Sequence, residues 1–191
     1  PSSTDAYHLY LRGLLNERFG KPEDALADYQ EVVNLDPSAA FVHEAMASLA
    51  LRLGQMDRAL TEAEGVARLA PDSAHSYLVL GRVHLARGNL PAANEAFDRA
   101  LALAPDDNEA LLYAAHLRVV TRPQEALALY ARFLQNNPQS AEAYVRVAEI
   151  HQRLGDLGAA KAAWRKVLEL DDSDFAAHLA GDAAYQSSKQ G

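Results

Sequence analysis

Small and apolar positions recur along this chain with helical spacing. Ala25, Tyr29 and Val32 stand four and then three residues apart. The same step joins Ala59, Ala63 and Val66, then Ala93, Phe97 and Ala100, then Ala126, Tyr130 and Phe133, and last Ala160, Trp164 and Val167. Residues at i, i+4 and i+7 share one face of an α-helix, so each triplet predicts a helix with one apolar stripe. A further small position recurs ahead of each triplet, at Gly13, Ala47, Gly81, Ala115 and Ala148. Few stretches are rich in β-branched residues, and alanine, the strongest helix former, makes up about a fifth of the chain. Pattern and composition agree on an all-α protein.

The punctuation has the same period. "LDPSA" at Leu35–Ala39 returns as "LAPDSA" from Leu69, "LAPDD" from Leu103 and "NNPQSA" from Asn136. Pro37, Pro71, Pro105 and Pro138 are spaced 34, 34 and 33. Gly20, Gly54, Gly88 and Gly155 are spaced 34, 34 and 67, the last gap skipping one unit. A fixed period of this length is the mark of stacked helical hairpins. These columns resemble those of the tetratricopeptide repeat (TPR) family. The resemblance implies a right-handed α-solenoid of helix-turn-helix repeats, a single one over 1–191. Its units fall at 6–39, 40–73, 74–107, 108–140 and 141–174, with a C-terminal helix at about 175–188.

Each column then has a physical task. Glycine in the turn accepts a left-handed backbone without a Cβ penalty. The alanine column lets two helices approach, the following aromatic fills the space beside that contact, and proline ends the second helix. Two units depart. The fourth reads "VVTRPQEAL", with no glycine and one residue fewer, so Arg122-Pro123 takes the turn and Pro123 opens the next helix. The fifth has Asp172 where the proline column falls. At the start, Ser3, Thr4 and Asp5 suit the cap of a helix beginning near Ala6. At the end, Phe175, Leu179 and Tyr185 keep the last segment apolar, either as a cap or as the first half of a sixth unit. The chain begins Pro1-Ser2-Ser3 without methionine, so a processed or truncated chain is expected.

Charge and chemistry narrow the function. The net charge of −8 does not suit a nucleic-acid backbone, which requires a basic patch. There is no cysteine, and no apolar run approaches the ~20 residues of a membrane span. None of the seven histidines forms an HxxxH or HExxH pair. His43, His84, His151 and His178 fall on packing columns, and Asp106-Asp107 and Asp171-Asp172 sit at unit boundaries. "GRVHLARGN" lacks the Gly-Lys-Ser/Thr of a phosphate loop. No enzyme activity, cofactor or metal is expected.

The resemblance implies that the first helix of each unit lines a concave, peptide-binding surface. One helical stripe per unit then supplies the candidate groove: Tyr7, Tyr10, Leu14, Phe41, Arg52, Leu78, Arg82, Tyr113, His116 and Arg146. Aromatics there offer large contact area, and the arginines can grip carboxylates. One subclass of the family clamps the carboxylate end of chaperone tails with Lys, Asn and Arg. This chain has Tyr10, Leu14, Ala45, His75 and Val79 at those places, so chaperone tails are not expected. The expected role is a protein-protein interaction scaffold for a peptide or protein ligand. The alternatives are a self-assembling module, hence a homo-oligomer, and an accessory TPR region of a larger enzymatic or envelope-assembly protein. Alanine and arginine usage with short regular repeats resembles bacterial members, which are cytoplasmic or, where a leader was removed, periplasmic or lipid-anchored.

Overall fold

A computed structural model of the chain describes residues 3–170. The expected helix at about 175–188, His178 and the Asp171-Asp172 pair lie outside the described residues. Among the described residues every regular element is an α-helix: α1 (Ser3–Arg18), α2 (Pro22–Leu35), α3 (Ala40–Arg52), α4 (Met56–Leu69), α5 (Ala74–Ala86), α6 (Leu90–Leu103), α7 (Asn108–Arg118), α8 (Pro123–Asn136), α9 (Ala141–Arg153) and α10 (Leu157–Leu170). The chain divides into two compact units, Pro1–Asp107 and Asn108–Gly191. The first holds the hairpins α1–α2, α3–α4 and α5–α6. The second holds α7–α8 and α9–α10. α1 starts at Ser3, three residues earlier than expected, and carries Asp5 in its first turn, where a carboxylate opposes the helix dipole. No described helix is long and apolar enough to cross a membrane.

Four hairpin turns are built alike. Gly20, Gly54, Gly88 and Gly155 all have φ between 71° and 78°. At each, the glycine N–H bonds back three residues and the next N–H bonds back five. Thus Gly88 N–H donates to Leu85 O at 2.9 Å and Asn89 N–H to His84 O at 2.9 Å. This pairing satisfies the last carbonyls of the first helix and needs the left-handed residue between them. The α7–α8 turn lacks glycine, and among the described residues no non-glycine residue has positive φ. Arg118 takes over there. It is 3% exposed, donates from its Nη1 to Ala114 O at 3.0 Å and from its Nε to Glu125 Oε2 at 3.3 Å. Pro123 opens α8, as its fixed φ favours.

The core follows the repeated columns. Ala25, Ala59, Ala93, Ala126 and Ala160 are fully buried, and so are Tyr29, Ala63 and Phe97. Tyr130 and Trp164 are buried in the same column of the second unit. Opposite them, Ala47, Ala115 and Ala148 are fully buried. Two of these contacts tolerate nothing larger than hydrogen. A Cβ on Gly13 would fall 2.4 Å from Tyr29 Cε1, and one on Gly81 would fall 2.5 Å from Phe97 Cε1. Where the second helix carries Ala63 instead of an aromatic, the first carries Ala47.

Burial also sets the chemistry of the aromatic column. Desolvation pushes the Tyr130 phenol up to about 12, with Arg146 opposing and Glu142 and Glu149 adding to the shift. Burial drives Tyr29 higher still, helped by its hydrogen bond to Glu17.

Gly81→Ala is expected to cost about 1–3 kcal/mol through overpacking against Phe97. Gly158→Ala, whose Cβ would meet only Asp156 Oδ1 at 3.7 Å, should be neutral or stabilising. Urea midpoints of the two variants check this, and equal losses would refute the contact. Alkaline pH gives a second test. An unfolded tyrosine ionises near pH 10, while folded Tyr130 holds its proton to about 12. Between those values the unfolded chain binds fewer protons, so stability falls as pH rises from about 10 through about 12. Urea unfolding repeated across that window, alongside tyrosinate absorbance, measures it. Tyr130→Phe should flatten the fall.

Candidate functional site

In the first unit, α1, α3 and α5 each expose one stripe. Residues spaced i, i+3 or i+4, and i+7 stay on one helix face, and here that face holds Tyr7 and Leu14 of α1, Phe41, Glu44 and Ser48 of α3, and His75 and Arg82 of α5. Tyr7 is 61% exposed and Phe41 54%. Leu14 is also exposed, and Tyr10 and Arg82 are half-buried. Leu78 departs from the expectation. It is 2% exposed and offers a ligand no surface, and Val79 beside it is buried in the cluster formed with Ala59 and Ala63 of α4. Buried to this degree, Leu78 is a packing residue and not a groove residue.

The aromatic end of the stripe is held rigidly. Tyr10 meets Phe41 edge to face at 4.9 Å and 90° and lies 5.8 Å from Tyr29. Such offset and T-shaped contacts are the favoured ring geometries. Tyr29 donates its hydroxyl to Glu17 Oε1 at 2.6 Å, and Arg52 pairs with the other Glu17 oxygen. A chain of contacts thus runs Phe41, Tyr10, Tyr29, Glu17, Arg52 across three helices. Burial, then Glu44 and Glu17, push the Tyr10 phenol above its ordinary value. It therefore stays a neutral hydrogen-bonding group on an apolar patch.

Two nitrogen donors of the stripe are engaged. Arg52 is tied to Glu17 as described. His75 Nε2 lies 2.7 Å from Glu44 Oε1. The His75–Glu44 pair is exposed on both sides, so a ligand carboxylate can compete with it at modest cost; Arg52 is exposed while its partner Glu17 is largely covered. A second ion pair lies under the same hairpin. Asp28, 5% exposed, accepts from Arg12 Nη2 at 2.5 Å and Nε at 3.0 Å and from Asn16 Nδ2 at 2.9 Å. The sequence holds a faint signal for it, because Asp28 stands where the other units have Glu62, Ala96, Leu129 and Ala163.

The second unit carries the remaining candidates on α7 and α9. His116 is exposed, and Tyr113 and Arg146 are half-buried. Arg146 Nη1 lies 3.0 Å from Glu149 Oε2, one helical turn on. Glu109, Glu142 and Glu149 bring acids to this surface beside Tyr113 and His116.

The histidines on packing columns behave individually. His43 Nδ1 lies 2.6 Å from Glu62 Oε2 and its Nε2 lies 3.3 Å from Pro37 O. His84 Nδ1 is buried without a hydrogen-bond partner. His151 Nδ1 stands 3.5 Å from Asp156 Oδ2. Among the described residues no group of three or more His, Asp and Glu side chains is arranged to hold a metal. An open, mostly apolar depression of ≈ 640 Å³ lies on the α5–α6 hairpin, lined by Tyr77, Leu80, His84, Glu95 and Arg99 among others. Sequence reasoning had no signal for it, since its walls come from two helices. Arg99 stacks over Tyr77 there at 5.6 Å.

Removing the carboxylate that joins Tyr29 to Arg52 should loosen the aromatic platform. Glu17→Ala leaves the buried Tyr29 hydroxyl without its acceptor and is expected to cost about 1–3 kcal/mol. The double variant with Tyr29→Phe should recover part of that loss. A thermal-denaturation double-mutant cycle measures the coupling, and strictly additive losses would refute it.

The comparisons with known proteins agree with the fold. The family model described as the cytochrome c-type biogenesis protein H TPR domain matches residues 66–176, more than half of the chain. A tetratricopeptide repeat model matches residues 9–39. No curated protein matches the chain in sequence. Among solved structures, MamA protein superposes with a TM-score of 0.80 at 19% identity, covering 90% of this chain and 94% of its own. YrrB, described as a TPR protein with an unusual peptide-binding site, gives 0.77 at 21% identity, covering 93% and 92%. PilW, described as a widely conserved type IV pilus biogenesis factor, gives 0.76 at 21%, covering 100% and 93%. At these identities the likeness shows the fold, a helical-repeat solenoid.

Proposed function

We propose, for a chain that belongs to the cytochrome c-type biogenesis protein H TPR domain family, the role of a non-catalytic scaffold that holds another polypeptide on the exposed stripe of α1, α3 and α5. The TPR fold supports a protein or peptide partner. The finer assignment rests on one observation: Tyr7 and Phe41 are large, exposed aromatics beside a Tyr10 that is fixed by ring contacts on both sides. A soluble surface has no need of such a patch, and preorganised aromatics give contact area with little entropy loss on binding.

The ligand that fits is an extended or helical segment with apolar side chains for the Tyr7–Leu14–Phe41 end. Its carboxylates would exchange into the pairs held by Arg52 and His75 and reach Arg82. Tyr113, His116 and Arg146 form the proposed second contact surface, on the other compact unit. Peptide binding by YrrB and pilus biogenesis by PilW, as those proteins are described, fit a scaffold that handles another polypeptide, as does the biogenesis protein for which the matching family is named.

Selection of peptides from a random display library against the purified chain supplies a defined probe. Titration calorimetry of a selected peptide should then show Phe41→Ala and Tyr7→Ala each weakening binding about tenfold or more, the usual size of a hot-spot loss. Leu69→Ala, another exposed apolar position outside the stripe, should leave it unchanged. Peptides that bind the Tyr7→Ala/Phe41→Ala double variant as tightly as the parent would refute the site.

A further inference from the structure

The acid that holds Arg52 is not required by the repeat. Glu17 stands in the column that carries Leu51, Leu85, Val119 and Gln152 in the other four units. The hairpin therefore forms without a carboxylate at this place. In α1 the carboxylate is nonetheless mostly covered, with 18% of its side chain exposed. Covering an acid costs desolvation that its partners must offset, and its partners come from two other helices. The Tyr29 hydroxyl of α2 donates to its Oε1 at 2.6 Å, and the Arg52 guanidinium of α3 pairs with its Oε2. The two sides of this contact differ in freedom. Tyr29 is fully buried, so its hydroxyl fixes Glu17 from within. Arg52 keeps 60% of its side chain in solvent, and a guanidinium has five N–H donors for carboxylates. A ligand acid arriving on the stripe would seek this group and find a carboxylate already on it.

We infer that Glu17 is a built-in competitor for Arg52, which lowers the affinity of the stripe for acidic segments and leaves its affinity for apolar ones unchanged. The inference rests on the peptide-binding role proposed above and names what tunes it. An incoming carboxylate has two routes to Arg52. It can displace Glu17, which then stays covered with the Tyr29 hydroxyl and without its counter-charge. It can share the guanidinium, and two like charges then meet on one cation. Each route takes free energy from binding. The His75–Glu44 pair sets no such barrier, because both of its side chains are exposed and Glu44 can turn into water. Acidic residues of a ligand are thus steered toward α5, and the α1–α3 side of the stripe is left to apolar residues.

Glu17→Gln separates competition from architecture. Glutamine still offers Oε1 to the Tyr29 hydroxyl, so circular dichroism and melting temperature should hold, while the charge opposite Arg52 is gone. Glu17→Leu with Tyr29→Phe, which copies the Leu85 and Phe97 of the third hairpin, removes the same charge by another route. The probe is a display-selected peptide without acidic residues, together with a scan that places one glutamate at each of its positions in turn. In titration calorimetry the unmodified peptide should bind the parent and both variants alike. At least one glutamate peptide should bind each variant about fivefold tighter than the parent, the size of an exposed ion pair. That gain should disappear in the Glu17→Gln/Arg52→Gln double variant and shrink in about 0.5 M salt. No glutamate peptide gaining affinity, an equal gain for the unmodified peptide, or a gain that survives Arg52→Gln would each overturn the inference. Phe41→Ala keeps the two readings apart. If it weakens the unmodified peptide while Glu17→Gln changes nothing, the stripe stands and the competitor falls; if it has no effect, both fall.

Discussion

The close approach of two helices at a hydrogen or a methyl group is the constraint on which the rest of this molecule depends. Gly13 and Gly81 lie against the rings of Tyr29 and Phe97 at distances that leave no room for a Cβ. Ala47, Ala115 and Ala148 make the corresponding contact in the other hairpins. Because the helices come this near, one ring or one alanine closes each hairpin, and little other apolar surface is needed inside. The left-handed glycines serve the same end, since they return the chain sharply enough for the second helix to lie against the first.

That economy explains the surface. Once the hairpin core is filled from a few columns, the remaining positions on the first helices are free to vary in chemistry. In α1 and α3 they are aromatic and aliphatic, with Tyr10 wedged between Phe41 and Tyr29. In α7 and α9 they include Glu109, Glu142 and Glu149 beside Tyr113 and His116, with Arg146 bound to its neighbour Glu149. The scaffold is thus periodic while the exposed stripe is not. A repeat protein can vary its surface in this way because each unit's core is closed by contacts of its own.

Electrostatics tie frame and stripe together. Glu17 accepts from a core tyrosine and from a surface arginine at once, and Asp28 holds Arg12 and Asn16 from a nearly buried position. Such carboxylates cost desolvation that their hydrogen bonds must offset. They also fix the orientation of α1 against α2, and so the direction in which Tyr7, Leu14 and Tyr10 point.

The sequence alone determined the helical class, the hairpin period, the turn glycines and the core columns. These follow from short-range chemistry: left-handed backbone at Gly20 or Gly88, a proline-opened helix at Pro123, and apolar spacing that matches 3.6 residues per turn. It also offered a stripe of candidates, because one residue in each turn of a helix must face outward. Only the tertiary structure decided which stripe residues are available. Leu78 and Phe41 read alike in one dimension, yet Leu78 is buried and Phe41 stands open beside Tyr10. It alone revealed Arg118 capping the glycine-free turn and Glu17 joining Tyr29 to Arg52. Those outcomes depend on side chains 7 to 35 positions apart meeting in space, and helical periodicity carries no information about which of two faces a distant helix will cover.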